Sequence, residues 1–334
     1  VRAWQIVSSD GIDALRLAEV AATSPGPGEV RVRVRANAIN YRDLNTIRDP
    51  VSRKLPYPRV PNSDAAGDVI AVGAGVTAIK VGDRVASCFF QRWLDGACSA
   101  EAMASALGGA EDGVLAEEVT LSADGVVPVP AHLSYAEAAT LPCAALTAWH
   151  ALVECARLKA GDTVLLLGTG GVSIFALQFA RLHGARTIIT SSSDEKLARA
   201  RELGASETIN YRSHPDWERE VLRLTEGRGV DVTVEVGGAG TLPRSIAATR
   251  IAGTIALIGV LTGGQIDPAT FMRKSIRMQG IYVGSRRMFL DMNRAISANR
   301  MKPVIDRTFA FSDAKEAYRA MLAAGHFGKL VIEL

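Results

Sequence analysis

Between residues 30 and 36 apolar and basic positions alternate, with Val30, Val32, Val34 and Ala36 on one side and Arg31, Arg33 and Arg35 on the other. A two-residue period predicts a strand with one face buried and one face in water. The cluster Pro25-Gly26-Pro27-Gly28 supplies a turn just before it. Ala65 to Gly73 predicts a further strand, and Gly73, Gly75 and Gly82-Asp83 mark the turns that follow. Short strands broken by glycine, up to about residue 125, predict a partly closed β-barrel.

From residue 126 the pattern changes. Val164-Leu165-Leu166-Leu167 is a continuous apolar run, as a parallel strand covered on both faces requires. After it Val172, Phe175, Ala176, Phe179 and Ala180 form one helical stripe. Thr187 to Ile189 predicts the next strand, and Leu197 to Leu203 a helix stopped by Gly204. Glu207 to Asn210, Val230 to Val236 and Thr254 to Ile258 add three more strand-like segments. Strands alternating with helices predict a doubly wound parallel sheet. The tail differs again: Ala314 to Ala323 reads as an amphipathic helix and Leu330 to Ile332 as a final strand, returning to the N-terminal domain.

A chain of 334 residues is too long for one ordinary domain, which agrees with this division. The net charge of +3 is spread along the chain without a basic run, so charge does not point to a nucleic-acid partner. No stretch approaches the roughly 18 apolar residues of a membrane span, and Val1 to Ile6 reads as a strand start rather than a signal peptide. Cys88, Cys98, Cys143 and Cys155 are irregularly spaced, which suits free thiols in a cytoplasmic protein.

The chemistry concentrates at Gly168-Thr169-Gly170-Gly171-Val172-Ser173, between the apolar run and the helical stripe. In that context Gly168 permits a tight turn, Gly170 lets backbone approach a pyrophosphate, and the helix start offers unpaired N–H groups. Ser173 stands at the third glycine position and is small enough for close helix–strand packing. The motif predicts dinucleotide binding. The 2′ position of the ribose is read at the end of the next strand, about twenty residues on. Thr190-Ser191-Ser192-Ser193 carries no carboxylate there, its hydroxyls suit a 2′-phosphate, and Lys196 follows. NADP is therefore favoured over NAD. Ser192 with Glu195 also fits a capping box, so the serines have a helix-capping alternative. Val236-Gly237 and Gly259-Val260 fall at the C-terminal ends of parallel strands, where such sheets bind ligands, and both pairs are assigned to the cofactor.

The chain resembles the medium-chain dehydrogenase/reductase superfamily. The carriers are Gly28-Glu29-Val30, Asn40-Tyr41-Arg42-Asp43-Leu44, Asn62-Ser63-Asp64-Ala65-Ala66-Gly67, Val81-Gly82-Asp83-Arg84-Val85, Ala139-Thr140-Leu141-Pro142-Cys143 and Thr147-Ala148-Trp149, with the glycine turn. The resemblance implies a Rossmann doubly wound parallel sheet inserted in a GroES-like β-barrel domain. The expected boundaries are 1–125 and 283–334 for the GroES-like catalytic domain and 126–282 for the Rossmann domain. It also implies a homodimer. Zinc-dependent members hold catalytic metal at positions matched here by Asn40, Ser63 and Cys143, with Asp64 nearby. Amide and hydroxyl groups are poor zinc ligands, and the region of the structural zinc holds only Cys88 and Cys98. No zinc site is expected, and Cys143 reads as a packing residue. That leaves similarity to the zinc-free quinone oxidoreductases and enone reductases. The expected activity is hydride transfer from NADPH to a quinone or an α,β-unsaturated carbonyl, a small-molecule substrate. The alternatives are oxidation of an alcohol and a non-catalytic NADP(H)-binding sensor.

By the same resemblance the turn at Asn40 and Tyr41 faces the nicotinamide, and either side chain can donate to a developing oxyanion. The alternative is that Asn40 shapes the turn and Tyr41 packs. Asp43 is expected to buttress that turn. Thr147 matches a position beside the nicotinamide, with a helix cap as its alternative. Tyr211 is expected over the adenine end. Tyr282-Val283 is expected to meet the carboxamide through backbone groups, on a strand that resembles the family's dimer edge. Lys329 reaches the cofactor or stands in solvent. The five histidines match no ligand position, and Gln91, Arg92 and Trp93 read as a surface loop, with part of a lid or pocket wall as the alternative.

Overall fold

In the computed structural model, which describes residues 1–334, the arginine-striped strand lies at the middle of a mixed sheet. The chain starts with the hairpin β1 (Arg2–Ile6) and β2 (Leu15–Glu19). It continues through β3 (Glu29–Ile39), β4 (Asp64–Val72), β5 (Arg84–Ser87), β6 (Glu118–Ser122) and β7 (Val126–Pro128). Six parallel strands follow: β8 (Thr163–Leu166), β9 (Arg186–Ser191), β10 (Glu207–Asn210), β11 (Val230–Glu235), β12 (Thr249–Leu257) and β13 (Arg277–Gly280). The last two are β14 (Ile305–Ala310) and β15 (Lys329–Glu333).

Val1–Leu146 with Val283–Leu334 form one unit, and Thr147–Tyr282 form the other. The first unit holds a sheet of order β14-β15-β3-β4-β5-β7, with β6 also on β3. Val30, Val32 and Val34 are buried, while Arg31 and Arg33 pair with Glu118 of β6 and Arg35 with Asp68 of β4. The expected alternation is thus completed by acidic neighbours on the wet face. The helix Ala314–Leu322 sends Ala314, Ala317, Tyr318 and Met321 into a core with Trp4, Ile39, Leu44 and Leu330. β15 runs antiparallel to β3 with Leu330 opposite Ile39 and Val331 opposite Ala38.

Residues 126–146, expected in the Rossmann domain, belong with the first unit instead. β7 pairs with β5. The helix Tyr135–Ala139 is pinned to that sheet by Tyr135, whose hydroxyl donates to Asp68 and whose ring lies under the Arg84 guanidinium at 4.4 Å.

The second unit is one parallel sheet of order β10-β9-β8-β11-β12-β13. Its strand order reverses between β8 and β11, the topological switch point where such sheets bind ligands. The run Val164 to Leu166 is fully buried, and the helix Gly171–Leu182 packs Ile174, Phe175, Ala176, Phe179 and Ala180 inward. Gly204, with φ +90°, ends the helix Asp194–Glu202 in the left-handed conformation that glycine tolerates. No helix is long and apolar enough to cross a membrane.

Candidate active site

The glycine turn lies at the carboxyl end of β8. Gly168 has φ +72°, and Gly170 is the N-cap of the helix that begins at Gly171. A Cβ added to either glycine meets no atom within 4 Å, so both face open space. Gly170 has no side chain to cap the helix, and the first-turn N–H groups of Gly171 and Val172 remain for an anion. Ser173 works at the third position because its hydroxyl donates to the Leu167 carbonyl at 2.6 Å, tying the helix to the strand end. Thr169 is buried. An open, glycine-lined helix start of this kind fits a dinucleotide pyrophosphate.

At the end of β9 the hydroxyls divide their work. Thr190 accepts from the Gly168 N–H at 3.2 Å and Ser191 from the Ser193 N–H at 3.3 Å. Ser193 is the N-cap of the following helix and accepts from the Lys196 N–H at 3.3 Å. The cap therefore falls one residue later than the Ser192–Glu195 reading, which leaves Ser192 half-buried and outside the capping bonds. Asp194 accepts from Asn210 Nδ2 at 2.7 Å. Tyr211 is exposed, and its N–H donates to the Ser191 carbonyl at 3.0 Å, so it stands beside the same strand end.

The glycines after β11 and β12 have another physical reason than the one expected. A Cβ on Gly259 would lie 1.6 Å from the Val236 carbonyl oxygen, and one on Gly237 would lie 2.4 Å from Thr241 Oγ1. Gly259 lets the two strand-end turns pack on each other, and Gly237 makes room for Thr241 within its own turn. Beneath them Glu235 is fully buried and accepts from the N–H groups of Gly237 at 2.7 Å and Gly238 at 3.1 Å, and from the Thr241 hydroxyl at 2.6 Å. Ser245 donates to its other oxygen. Val260 is exposed at the tip. Tyr282 and Val283 lie beyond β13 rather than on it; Tyr282 is exposed, and Val283 is buried with φ +56°, unusual for a β-branched residue. Thr147 is buried in the short helix Leu146–Trp149, between the π-helical turns Leu141–Ala145 and His150–Cys155. It does not cap an exposed helix start.

The first unit gathers a second, separate cluster. Asn40 is the N-cap of the helix Tyr41–Arg48, and Asp43 accepts from the Asn40 N–H at 2.8 Å. Asp43 thus buttresses the turn, held by Arg42 at 3.2 Å, whose guanidinium lies over the Phe89 ring at 4.6 Å. Tyr41 is exposed. The Asn40 side chain points elsewhere: Lys329 Nζ donates to its Oδ1 at 2.6 Å and to the Ile39 carbonyl at 2.7 Å. Asn40 Nδ2 is buried and makes no well-formed hydrogen bond, only a weak contact with the Asp64 carboxylate. Lys329 is only 3% exposed, so the solvated alternative for it is wrong; the β15–β3 register delivers it beside Asn40.

Behind this pair, Asp64 is fully buried and accepts from the Ser63 hydroxyl at 2.6 Å and the Cys143 N–H at 3.1 Å. Burial pushes its carboxyl up to about 6; the Lys329 ammonium, the Ser63 hydrogen bond and a weak contact from the Asn40 amide oppose this, and Asp43 adds to it. Burial and the Asp64 charge push the Cys143 thiol well above its ordinary range. The three positions matched to zinc ligands thus present an amide oxygen engaged by an ammonium, a hydroxyl engaged by a carboxylate, and a thiol held in its neutral form. That donor set does not fit a catalytic zinc. No group of three or more His, Cys, Asp and Glu side chains is disposed to hold a metal ion. Gln91, read as part of a surface loop, is buried and bridges the carbonyls of Cys88 and Gly125, each at 2.9 Å.

Two of these features escaped sequence reasoning. Glu235 is a charge at the buried end of β11, where the other charge of that strand, Asp231, is paired with Arg228 and Arg250, and the carboxylate in a valine-rich strand is a readable signal. The Lys329–Asn40 contact spans 289 residues and has no local signal.

Residues 26–131 match the alcohol dehydrogenase GroES-like domain, and residues 171–298 match the zinc-binding dehydrogenase family. The chain is 42% identical to a zinc-type alcohol dehydrogenase-like protein of Schizosaccharomyces pombe, covering 97% of this chain and 96% of the relative. It is 31% identical to a quinone oxidoreductase of Pseudomonas aeruginosa, covering 98% of each. A solved NAD-dependent alcohol dehydrogenase is 35% identical with a TM-score of 0.92, covering 100% of each chain. A mycobacterial protein solved with NADPH is 27% identical with a TM-score of 0.84, again covering 100% of each.

Proposed function

We propose that this chain, which belongs to the medium-chain dehydrogenase/reductase superfamily, is a zinc-independent, NADPH-dependent reductase of quinones or α,β-unsaturated carbonyls. Family membership makes it an NAD(P)-dependent oxidoreductase of the Rossmann and GroES-like architecture. The observation that carries the finer reading is the Asn40–Lys329 pair. It stands at a position matched to a zinc ligand, and it leaves a buried amide N–H without a well-formed hydrogen bond.

When bound, the nicotinamide supplies the hydride. The chain's own residues do the rest. The backbone of Gly168, Gly170, Gly171 and Val172 receives the pyrophosphate. Ser191, Ser192 and Lys196 receive the 2′-phosphate, with Tyr211 at the adenine end; Asp194, the nearest carboxylate, is engaged by Asn210. The named relatives divide between NAD and NADPH, so this preference rests on the β9 end of this chain. Thr147, Val236, Gly237, Gly259, Val260, Tyr282 and Val283 belong to the nicotinamide half of the proposal. Asn40 Nδ2 donates to the substrate oxygen as negative charge develops there, with Tyr41 beside it as a second hydroxyl donor. A proton from solvent completes the reduction.

A cytoplasmic homodimer is part of the same proposal. Its support is the edge position of β13, the exposed Met278 on that strand and Met272 just before it, and four free cysteines. Oxidation of NADPH by a panel of quinones and enones, with a chelator present, tests the reading. Turnover indifferent to the chelator is the expected result. Turnover only with NAD and an alcohol would replace it with the alcohol dehydrogenase alternative, and saturable NADPH binding without turnover would favour the sensor.

A further inference from the structure

Lys329 opens β15 in a place where packing alone would select an apolar side chain. It is 3% exposed and is followed by Leu330, Val331 and Ile332, all fully buried. Its ammonium donates to the Ile39 carbonyl at 2.7 Å and to Asn40 Oδ1 at 2.6 Å. An ammonium can only donate. The atom of Asn40 that faces it must be oxygen, so the amide has a single orientation.

The consequence falls on the other end of the amide. Nδ2 is buried and makes no well-formed hydrogen bond in the protein, only a weak contact with the Asp64 carboxylate, although Asn40 as a whole is only 7% exposed. A buried donor left without a partner costs on the order of 1–3 kcal/mol, and native structures keep few of them. Helix capping cannot offset that cost, because an N-cap side chain accepts through its oxygen and Nδ2 is a donor. The arrangement makes sense if a ligand oxygen completes it.

We propose that Lys329 is a positioning residue that fixes the Asn40 amide so that Nδ2 donates to the oxygen of the bound quinone or enone. The inference rests on the reductase reading above, and it moves Lys329 from the cofactor to the substrate chemistry. A neutral residue would not serve. Glutamine or serine at this position can accept as well as donate, which would leave the amide two orientations. Accepting from a cation at Oδ1 also polarises the amide and strengthens Nδ2 as a donor. Charge supports the arrangement: Asp43 is paired with Arg42 at 3.2 Å, and Lys329 is the cation that acts on the fully buried Asp64.

The test uses the full-length protein, NADPH and 1,4-naphthoquinone. Asn40→Leu is expected to lower kcat about 100-fold, the loss typical of one oxyanion donor. Lys329→Met should lower kcat comparably with the KM for NADPH unchanged. The double variant should fall within about twofold of the worse single one, because the two residues act as one unit. Lys329→Arg should recover part of the loss. Losses that multiply, or a Lys329→Met variant that raises only the KM for NADPH, would overturn the proposal. An unchanged kcat in Asn40→Leu would instead overturn the donor reading beneath it. A crystal structure of Lys329→Met gives a readout that needs no turnover: the amide should turn or occupy two orientations, and one unchanged orientation would refute the claim. Should Lys329→Met fail to fold, Asn40→Asp keeps an oxygen for Lys329 and removes the N–H. It is expected to fold with kcat lost, and full activity there would also refute the claim.

Discussion

Replacing Asp64 with asparagine tests the electrostatics of the Asn40 cluster. Burial holds the Asp64 carboxyl up at about 6, against an ordinary 3.8. Between those values the folded state binds more protons than the unfolded one, so this group's contribution to stability is full below pH 3.8 and is lost as pH rises through about 6. The gap of roughly two units, at 1.36 kcal/mol per unit, amounts to about 3 kcal/mol. Asparagine does not titrate and lacks this loss. At pH 4.5 Asp64→Asn should melt below the parent, because its NH2 replaces an oxygen that accepts from Ser63 or from the Cys143 N–H. About 1 kcal/mol of the titrating contribution is already lost at pH 4.5, so from pH 4.5 to pH 8 the parent should lose about 2 kcal/mol relative to the variant. In a unit of this size that moves the difference in Tm by about 4–8 °C in favour of the variant. Thermal melts of both proteins at pH 4.5, 6 and 8 in matched buffers measure it. A Tm difference that stays constant, or that moves the other way, would refute the reasoning.

The cofactor turn supports sharper contrasts. Gly170→Ala meets no atom within 4 Å in the protein, so Tm should change by less than about 2 °C while NADPH binding weakens about tenfold or more; calorimetric titration and melting together check this. Gly259→Ala puts a methyl 1.6 Å from the Val236 oxygen and should instead destabilise the fold by about 1–3 kcal/mol, read as a fall in Tm. Ser192→Asp sets a carboxylate where the 2′-phosphate is proposed to sit. It should lower kcat/KM for NADPH about 100-fold with little effect on NADH, measured as the ratio of the two.

What could be read in the sequence was what is local. The Val30–Ala36 alternation, the Val164–Leu167 run and the glycine turn before a helical stripe each carry their period or context within a dozen residues. Their strands and helix stand where expected. The boundary at 125 was misplaced because β7 and the helix Tyr135–Ala139 earn their membership through Arg84 and Asp68, which lie far back in the chain. Gly259 was legible as a glycine that allows close approach, but not as one approached by Val236, since that depends on two strand-end turns meeting. Ser193 rather than Ser192 caps its helix, a one-residue difference that propensity does not resolve. Lys329 was opaque for the strongest reason. A lysine in isolation reads as a solvated charge, and only the pairing of Leu330 with Ile39 turns it onto Asn40.

The central claim is that hydride passes from the nicotinamide to a conjugated acceptor without a metal. Single-turnover reduction of an α,β-unsaturated aldehyde by NADPH carrying deuterium at C4, in a chelator-treated sample, tests it most directly. The account predicts deuterium on the β-carbon of the saturated product, at a rate the chelator does not change. Deuterium on the carbonyl carbon of an alcohol, or a reaction abolished by the chelator and restored by zinc, would contradict it.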